Sequence, residues 1–346
     1  LEGHVWKGGT SLFAGRDPVT FAPSTVSRLR IENGACQIGN RGFVLPAQVG
    51  SDVVLRGFRV SPHGGCGGFL HALECRGCQA KVVDAELVST EGSSYYADSR
   101  VGVLVTGGAA NLTLERTRVY VEPGKSSARG VVVETGGKLV GRQLAIKVSA
   151  VNGPGGDTQG VHHRGVDLVS GQVELRASTV EVLGAVTTGS ARCVGIDASG
   201  GLVLENSVVA NTCGGDAVGV RTDRVGSFTN DTLVGAGTTG NGAALRLQAA
   251  VDVMNTTFSG FPRGLWLDGP AALGSRLHGN ALAAAGALAV CDGTDVTALA
   301  VLQAAPPSAC NSGVAAHAGN VLAACALVNA SAGDYHLNDA VANECV

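Results

Sequence analysis

A line of chemically active side chains is the first feature of this chain. It arises from a recurring Gly-Val-x-Val segment in which position x carries carboxylates, guanidinium groups and an indole. The successive x residues are Leu104, Val132, Asp167, Asp197, Arg221, Arg246 and Trp266. If each segment is a strand whose two valine positions face inwards, x faces outwards. Stacked strands about 4.8 Å apart then bring the x residues into one column.

One interpretation of this column is catalytic. Asp167 and Asp197 on adjacent strands would perturb each other's protonation, as a general acid and base require. Arg221 and Arg246 are suited to hold the carboxylate of a uronate sugar through paired hydrogen bonds, and Trp266 offers a flat apolar face for a sugar ring. The column would then cleave, or bind without turnover, an acidic polysaccharide.

The simpler interpretation of the same column is structural. Carboxylates and guanidinium groups on neighbouring strands form surface ion pairs, each worth less than about 1 kcal/mol. We favour this charged ladder over glycan binding, and glycan binding over catalysis, and the sequence leaves all three open. Leu104 and Val132 are expected either beneath a loop or at a subunit contact, and the latter would make the protein self-associate.

A degenerate repeat must position the column. From Asp52 to Leu277, copies of about 20 to 35 residues each contain two short apolar strands followed by the Gly-Val strand. Apolar residues alternate with others along each strand, so one face of each is expected to be buried. The repeat predicts an all-β solenoid of about nine coils with three strands each. Two series of positions define it: Leu55, Val83, Leu114, Gly141, Leu175, Leu204, Thr229, Val253 and Leu273 for the first strand, and Gly102, Gly130, Gly165, Gly195, Gly219, Ala244 and Gly264 for the Gly-Val strand.

Composition supports the repeat and excludes several classes of function. The 52 glycines and only 4% aromatic residues fit many tight turns around a narrow aliphatic core. A formal net charge of −3 gives no support for nucleic-acid binding. We expect no membrane span, because no run of 18 apolar residues occurs. The domain prediction is an N-terminal cap at 1–50, coils at 51–280 and a C-terminal cap at 281–346, with short helices at Ala281 to Ala289 and Asp295 to Gln303.

Ten cysteines predict disulfides in the caps and between coils. Zinc is the alternative for Cys75-Arg-Gly-Cys78, but no second ligand pair follows at a matching distance. The spacing favours a bond from Cys193 to Cys213, about one coil apart on adjacent rungs. Pairing near the C-terminus is then expected as Cys291–Cys310 and Cys325–Cys345. The full set is Cys36, Cys66, Cys75, Cys78, Cys193, Cys213, Cys291, Cys310, Cys325 and Cys345. Disulfides indicate an oxidising compartment, hence secretion or display on the cell surface.

Several smaller features are candidate sites. Glycosylation sequons begin at Asn111, Asn230, Asn255 and Asn329. The turn residues Asn206, Asp231 and Asn255 are expected to stack as a structural ladder. The longest insertion, from Ser149 to Arg164, leads directly to Asp167. It carries His162 and Arg164 as possible ligand-binding groups, although loop histidines are more often only solvated. No metal or cofactor is expected; calcium is conceivable, but no cluster of acidic ligands is visible.

The coils resemble the right-handed parallel β-helix superfamily, the pectin-lyase-like fold. Segments such as Val203-Leu-Glu-Asn-Ser-Val-Val209 and Gly195-Ile-Asp-Ala-Ser-Gly-Gly201 are similar to its rung pattern over residues 50 to 280. The Asp334-Tyr-His-Leu337 segment is similar to the tails of secreted bacterial β-helix proteins of unassigned role. The resemblance implies a right-handed helix, with a substrate groove along the Gly-Val sheet beside the variable loop.

The resemblance does not extend to the family's catalytic motifs. The Asn-Thr-Asp, Asp-Asp, Gly-His-Gly and Arg-Ile-Lys set of polygalacturonase-like hydrolases is absent, and Ala145-Ile-Lys147 is the nearest segment. No acidic cluster matches the calcium site of pectate-lyase-like enzymes. We therefore predict a secreted or surface-displayed protein that is structural, adhesive or self-assembling. A polysaccharide lyase or hydrolase is the second prediction, and a non-catalytic glycan-binding module is the third.

Overall fold

Three long parallel sheets form the protein in this computed structural model. It describes residues 5–7, 29–32, 40–47, 49–51, 53–61, 69–89, 99–122, 127–149, 162–184, 192–214, 216–236, 240–284, 286–304, 310, 319–322, 327–329 and 334–337. From residue 40 to residue 291, successive strands belong in turn to the first, second and third sheet, and each strand pairs with the corresponding strand one coil away. The all-β solenoid prediction is confirmed, with about seven turns instead of nine coils.

The first sheet contains the Gly-Val strands and has eleven members among the described residues. All strands are numbered in chain order, so consecutive numbers fall in different sheets. They are β3 (Asn40–Leu45), β6 (Phe69–Arg76), β9 (Ser99–Thr106), β12 (Ser127–Glu134), β15 (His162–Leu168), β18 (Arg192–Ala198), β21 (Val218–Thr222), β24 (Ala243–Leu247), β27 (Arg263–Leu267), β30 (Ala287–Cys291) and β31 (Thr294–Val296). All pairs are parallel except β30 with β31, which ends the sheet as an antiparallel hairpin.

The second sheet has nine strands. They are β4 (Val53–Arg56), β7 (Gln79–Val83), β10 (Asn111–Glu115), β13 (Lys138–Arg142), β16 (Gln172–Arg176), β19 (Gly201–Glu205), β22 (Gly226–Thr229), β25 (Asp252–Met254) and β28 (Arg276–His278). Strands of only three or four residues lie at both ends of this sheet, where the regular coils begin and finish.

The third sheet has eleven strands. They are β1 (Val5–Lys7), β2 (Leu29–Glu32), β5 (Phe58–Val60), β8 (Glu86–Ser89), β11 (Arg118–Val121), β14 (Ala145–Ser149), β17 (Thr179–Leu183), β20 (Val208–Asn211), β23 (Thr232–Gly235), β26 (Thr257–Ser259) and β29 (Ala281–Ala283). The sheets thus continue beyond both boundaries, 51 and 280, that were drawn from the sequence.

The C-terminal part differs from the sequence prediction in its local structure. The helix expected from Ala281 to Ala289 is wrong, because that segment supplies strands β29 and β30. The second expected helix shrinks to a single turn, α1 (Leu299–Leu302). A short 3-10 helix spans Ala272–Gly274, and β32 (Leu327–Asn329) pairs antiparallel with β33 (Asp334–Leu337). The alanine run follows the strand pairing of the preceding coil, since neighbouring strands offer unpaired backbone groups that outweigh helix propensity.

The inward faces of the three sheets form one continuous aliphatic core. Leu139, Val148 and Val166 on the three sides of one level are almost fully buried, and the same arrangement recurs along the solenoid. The glycines of the Gly-Val strands also face inwards. A Cβ on Gly165 would overlap the Val180 side chain and the Gly195 carbonyl oxygen. The first and third sheets therefore approach too closely there for any larger residue.

The corner between the second and third sheets is a short turn that repeats in every coil. One residue per turn adopts a positive φ, including Asn206 at 52°, Asn230 at 56° and Asn255 at 50°, a conformation that asparagine tolerates better than most residues. Their amides stack: Asn230 Nδ2 donates to Asn206 Oδ1, and Asn255 Nδ2 donates to Asn230 Oδ1. The predicted ladder therefore exists, but Asn230 is its middle member and the assignment of Asp231 was wrong by one residue.

The residue after each of these turn positions is buried and forms a second ladder. Ser178 N–H donates to Ser207 Oγ, and Ser207 N–H donates to Asp231 Oδ1. Asp231 Oδ2 accepts a further bond from Thr229 N–H. Burial raises the pKa of Asp231 to about 7, against the opposing effect of these two hydrogen bonds. In a later coil, neutral Asn280 occupies the corresponding place and accepts from Thr256 N–H.

Three disulfides lie among the described residues. Cys193 joins Cys213 and Cys291 joins Cys310, the pairings that the spacing predicted, and Cys75 joins Cys78. The first bond does not stack two rungs: Cys193 lies in β18 and Cys213 follows β20, so it closes the end of one coil onto its beginning. Cys36, Cys66, Cys325 and Cys345 lie outside the described residues.

The inward glycines predict a strong steric effect. We expect Gly165→Ala to lower the free energy of unfolding by about 1–3 kcal/mol, because the added methyl group overfills the core. Gly108→Ala is the matched control, since the nearest atom to a Cβ there lies 3.8 Å away. Denaturant titration of both variants measures the difference, and equal stability of the two would contradict the close approach of the sheets.

The buried Asp231 predicts a pH-dependent stability. Its folded pKa of about 7 lies above the ordinary aspartate value of 3.8, so its stabilising contribution is full below pH 3.8 and is lost as pH rises towards 7. Relative to Asp231→Asn, the wild type should lose on the order of 4 kcal/mol across that range. Chemical unfolding of both proteins at several pH values tests this, and taking the difference cancels other titrating groups. A pH-independent difference would show that the Asp231 carboxyl is not perturbed by burial.

Candidate functional site

The column predicted from the sequence exists and keeps its register. Val132 pairs with Asp167, Asp167 with Asp197, Asp197 with Arg221, Arg221 with Arg246, and Arg246 with Trp266. It also continues further towards the N-terminus than the repeat suggested. Glu74 lies beside Leu104, and Val44 beside Glu74. All these residues lie on the outer face of the first sheet.

A second outward column runs beside the first because each strand bulges at its glycine. Arg129 pairs with Arg164 and Val131 with Val166, so the glycine between them drops out of the regular register. The residue before the glycine then faces outwards, as position x does. Sequence reasoning missed Arg129 because it followed position x alone. The signal was present as Arg-Gly at 129–130, 164–165 and 263–264.

Asp167 is the first of two carboxylates enclosed by arginines. Its Oδ2 accepts hydrogen bonds from Arg129 Nη1 at 3.2 Å and from Arg164 Nη1 at 2.8 Å. The residue is only 4% exposed. Its carboxylate is therefore balanced by guanidinium groups from its own strand and from the preceding one.

Asp197 is enclosed in the same way. Its Oδ2 lies 2.9 Å from Arg164 Nε, and its Oδ1 accepts from Arg221 Nε at 2.8 Å. Arg221 Nη2 also contacts Oδ2 at 2.5 Å, which makes the Arg221 pair bidentate. The neighbouring Asp197 raises the pKa of the Arg221 guanidinium, mainly through this hydrogen bonding. Arg164 thus bridges both aspartates, and the order along the face is Arg129, Asp167, Arg164, Asp197, Arg221.

This arrangement differs from that of an acid and base pair. A general base must reach a substrate proton with an oxygen that is free to accept it. Here both aspartates are at most 9% exposed, and each is held by two arginines. The two carboxylates on adjacent strands are separated by the Arg164 guanidinium, so their mutual repulsion is offset within the ladder.

The apolar members of the column are covered within a single chain. Val132 is 1% exposed and Leu104 is 9% exposed, and with Val101 they form a small cluster outside the main core. These side chains therefore do not provide the open contact surface that self-association through them requires.

Trp266 lies at the other end of the column and carries two cations. The Arg246 guanidinium carbon lies 4.4 Å from the ring centroid, and that of Arg263 lies 4.8 Å from it. Arg246 also donates to Asp268 Oδ2 at 2.8 Å. The guanidinium groups use the ring surface that was predicted to stack on a sugar, in cation–π contacts typically worth about 0.5–1 kcal/mol at exposed sites.

A cavity of about 340 Å³ opens beside the ladder, at the C-terminal ends of strands β15, β18 and β21. Its lining includes Arg164, Val169, Ser199, Arg221, Asp223 and Gln248, together with the aspartates. Ser199 Oγ donates to Asp223 Oδ2 at 3.2 Å. The cavity offers guanidinium donors, carboxylate and amide groups and one apolar wall, which is chemistry for binding a polar ligand.

The two histidines of the long insertion point in opposite directions. His162 is exposed on the outer face, whereas His163 is 1% exposed and faces the interior in register with Cys193. Burial lowers the pKa of His163 to about 4, with a smaller contribution from His162. His163 is therefore neutral at neutral pH.

The sequon asparagines have different environments. Asn111 begins β10 and is exposed, whereas the amides of Asn230 and Asn255 belong to the turn ladder. Asn329 lies in β32. Within the part of the chain that the structure describes, no three His, Cys, Asp or Glu side chains come together as a possible metal site.

Comparison of the chain with protein-family models, with curated proteins and with solved structures finds no match. Among the described residues, no helix has the length and apolar character needed to cross a membrane. The geometry of the first sheet and its cavity therefore carries the functional argument.

The bridging role of Arg164 predicts a large effect on stability. Arg164→Ala leaves two nearly buried carboxylates with one arginine each, so the free energy of unfolding should fall by about 2 kcal/mol or more. Arg176→Ala is the matched control, because Arg176 also contacts two carboxylates but its side chain is 50% exposed. That variant should lose less than about 1 kcal/mol. Equal losses in urea titration would mean that the enclosed ladder is worth no more than an exposed one.

Proposed function

We propose that this protein is a secreted or surface-displayed β-solenoid with a structural or adhesive role and without enzymatic activity. The observation that carries the proposal is the enclosure of Asp167 and Asp197 by three arginines. Carboxylates held in this way stabilise the stacking of strands. They are poorly suited to proton transfer or nucleophilic attack, because each would first have to leave its guanidinium partners.

The fold and the disulfides support the cellular part of the proposal. Bonds at Cys75–Cys78, Cys193–Cys213 and Cys291–Cys310 are typical of proteins in an oxidising compartment, such as the space outside the cell. The three-sheet coil and its asparagine turns support membership of the right-handed, pectin-lyase-like β-helix superfamily. That fold carries enzymes, adhesins and structural proteins alike, so the assignment adds nothing about activity.

Glycan binding without turnover is the second candidate. The 340 Å³ cavity beside the ladder supports glycan binding, since Arg164 and Arg221 line this cavity together with Ser199 and Gln248. Arginine donors suit a carboxylate or sulfate group, and the other polar groups suit sugar hydroxyls. Such binding is compatible with an adhesive role and needs no reacting group.

A cleavage screen tests the main proposal. The wild type, Asp197→Asn and the control Asp252→Asn are incubated with acidic and neutral polysaccharides, with and without calcium. New reducing ends and unsaturated uronate absorbance are measured. Asp252 is a suitable control because it pairs with Arg276 on the second sheet, away from the ladder. We expect no turnover by any of the three proteins.

One outcome would overturn the proposal: turnover by the wild type and by Asp252→Asn that is lost in Asp197→Asn. The polysaccharide lyase or hydrolase interpretation would then hold, with the ladder as an active site. Retardation of the wild type in gels that contain an acidic polysaccharide, without cleavage, would select the second candidate instead.

A further inference from the structure

A second cavity, of about 290 Å³, lies at the corner between the second and third sheets, in the N-terminal part of the solenoid. Its lining includes Phe58, Arg59, Asp84, Glu86, Arg116 and Arg118, which come from three successive coils. This site is separate from the ladder of the first sheet. Its volume lies just below the range of about 300–1,000 Å³ that is usual for drug-sized ligands, so it suits a ligand the size of one sugar.

The corner is cationic although the chain as a whole is acidic. The charged side chains that line the cavity are Arg59, Arg116 and Arg118, against Asp84 and Glu86. Three cations and two anions leave a local charge of +1, whereas the whole chain has a formal charge of −3. The excess of guanidinium groups favours a negatively charged ligand.

The three arginines of the lining are engaged to different degrees. Arg116 is fixed, because its Nε donates to Asp84 Oδ1 at 2.7 Å and its Nη1 pairs with Glu115. Arg59 Nη1 lies 3.8 Å from Glu86 Oε2, too far for a hydrogen bond, and its buried Nε has no partner.

Arg118 provides the unmatched charge. In the third sheet it lies between Glu86 on one side and Ala145 on the other. Glu86 is also the strand neighbour of Arg59, so one carboxylate serves two arginines. Among the residues that the structure describes, no hydrogen bond or ion pair engages the exposed Arg118 guanidinium, and its donors remain available at the cavity.

The carboxylates of the lining indicate which groups the ligand must carry besides its negative charge. Hydrogen bonding from Arg116 holds the pKa of Asp84 below its ordinary value, so this group is an acceptor at neutral pH. Acceptors beside the cationic groups disfavour a compact dianion such as phosphate, and they favour a ligand that also donates hydrogen bonds. A singly charged sugar with several hydroxyl groups combines both properties.

We propose that this corner cavity binds an acidic monosaccharide unit, with its carboxylate on Arg118 and Arg59 and its hydroxyl groups on Asp84 and Glu86. The proposal does not depend on the ladder, and it holds whether or not the first sheet binds a glycan. It gives the adhesive role a definite contact point at a corner of the solenoid.

Isothermal titration calorimetry of the folded protein with D-glucuronate tests the site. D-glucose supplies the hydroxyl groups without the charge, and inorganic sulfate supplies the charge without the hydroxyl groups. We expect saturable binding of glucuronate, and binding at least about tenfold weaker for each of the other two, because one charge-assisted hydrogen bond is worth that factor.

Variants locate the binding. Arg118→Ala should weaken glucuronate binding about tenfold or more, whereas Arg142→Ala, an exposed arginine on the second sheet outside the cavity, should leave it unchanged. Thermal melting checks that both variants remain folded. The proposal is overturned if the wild type does not bind glucuronate, if sulfate binds as tightly as glucuronate, or if the two variants behave alike. Retained binding by Arg118→Ala that is lost in Arg221→Ala would place the sugar at the first-sheet cavity instead.

Discussion

The narrow interior between the first and third sheets is the constraint on which the rest of the structure depends. In the central coils, at Gly102, Gly130, Gly165 and Gly195, the two sheets come so close that a Cβ would overlap a valine or isoleucine side chain of the third sheet. Alanine takes the corresponding place at Ala72 and Ala244, and Leu288 takes it near the C-terminal end of the sheet. The first-sheet strands bulge at the residue in this place, which therefore faces inwards. One outward residue comes directly before it, and another comes two positions after it. The bulge therefore produces two columns of side chains, three residues apart along each strand, that touch each other.

The charged ladder follows from this geometry. Stacked strands put identical positions about 4.8 Å apart, so two aspartates in one column would repel each other if nothing lay between them. The second column supplies the compensating charge, since Arg164 reaches both Asp167 and Asp197. Arg129 and Arg221 complete the sequence at the two ends. The two nearly buried aspartates are thus each placed between guanidinium groups, and the ladder extends over four coils, from β12 to β21.

The sequence predicted most of what depends on a regular period. The recurring glycines fixed the strand register, and the column from Leu104 to Trp266 appeared in the order expected. The charged-ladder interpretation anticipated the pair of Asp197 with Arg221. It missed Arg129 as a partner of Asp167, because the residue before each glycine faces outwards only through the bulge. Asn230 was confused with Asp231 since the turn position can be known only from φ, and adjacent polar residues look equivalent in a sequence. The alanine run at 281–289 lacks the repeat pattern, so its β-structure depends on pairing with preceding strands.

The buried ladder at the corner between the second and third sheets has a direction, because its backbone donors and side-chain acceptors always follow the same order along the solenoid. The backbone N–H of Ser178 is satisfied by the side chain of Ser207, and that of Ser207 by Asp231, in each case one coil towards the C-terminus. The same relation holds from Thr256 to Asn280 and from Asn280 to Asn320. At this corner the backbone N–H groups of one coil are thus satisfied by side chains of the next, and the side chains of Ser178, Ser207 and Asn280 donate back to carbonyl groups of the preceding coil. Duplication or loss of a whole coil preserves these hydrogen bonds between coils, whereas insertion or deletion of a few residues at this corner interrupts them. The longest connection between the regular coils lies at another corner, where the chain returns from the third sheet to the first between β14 and β15.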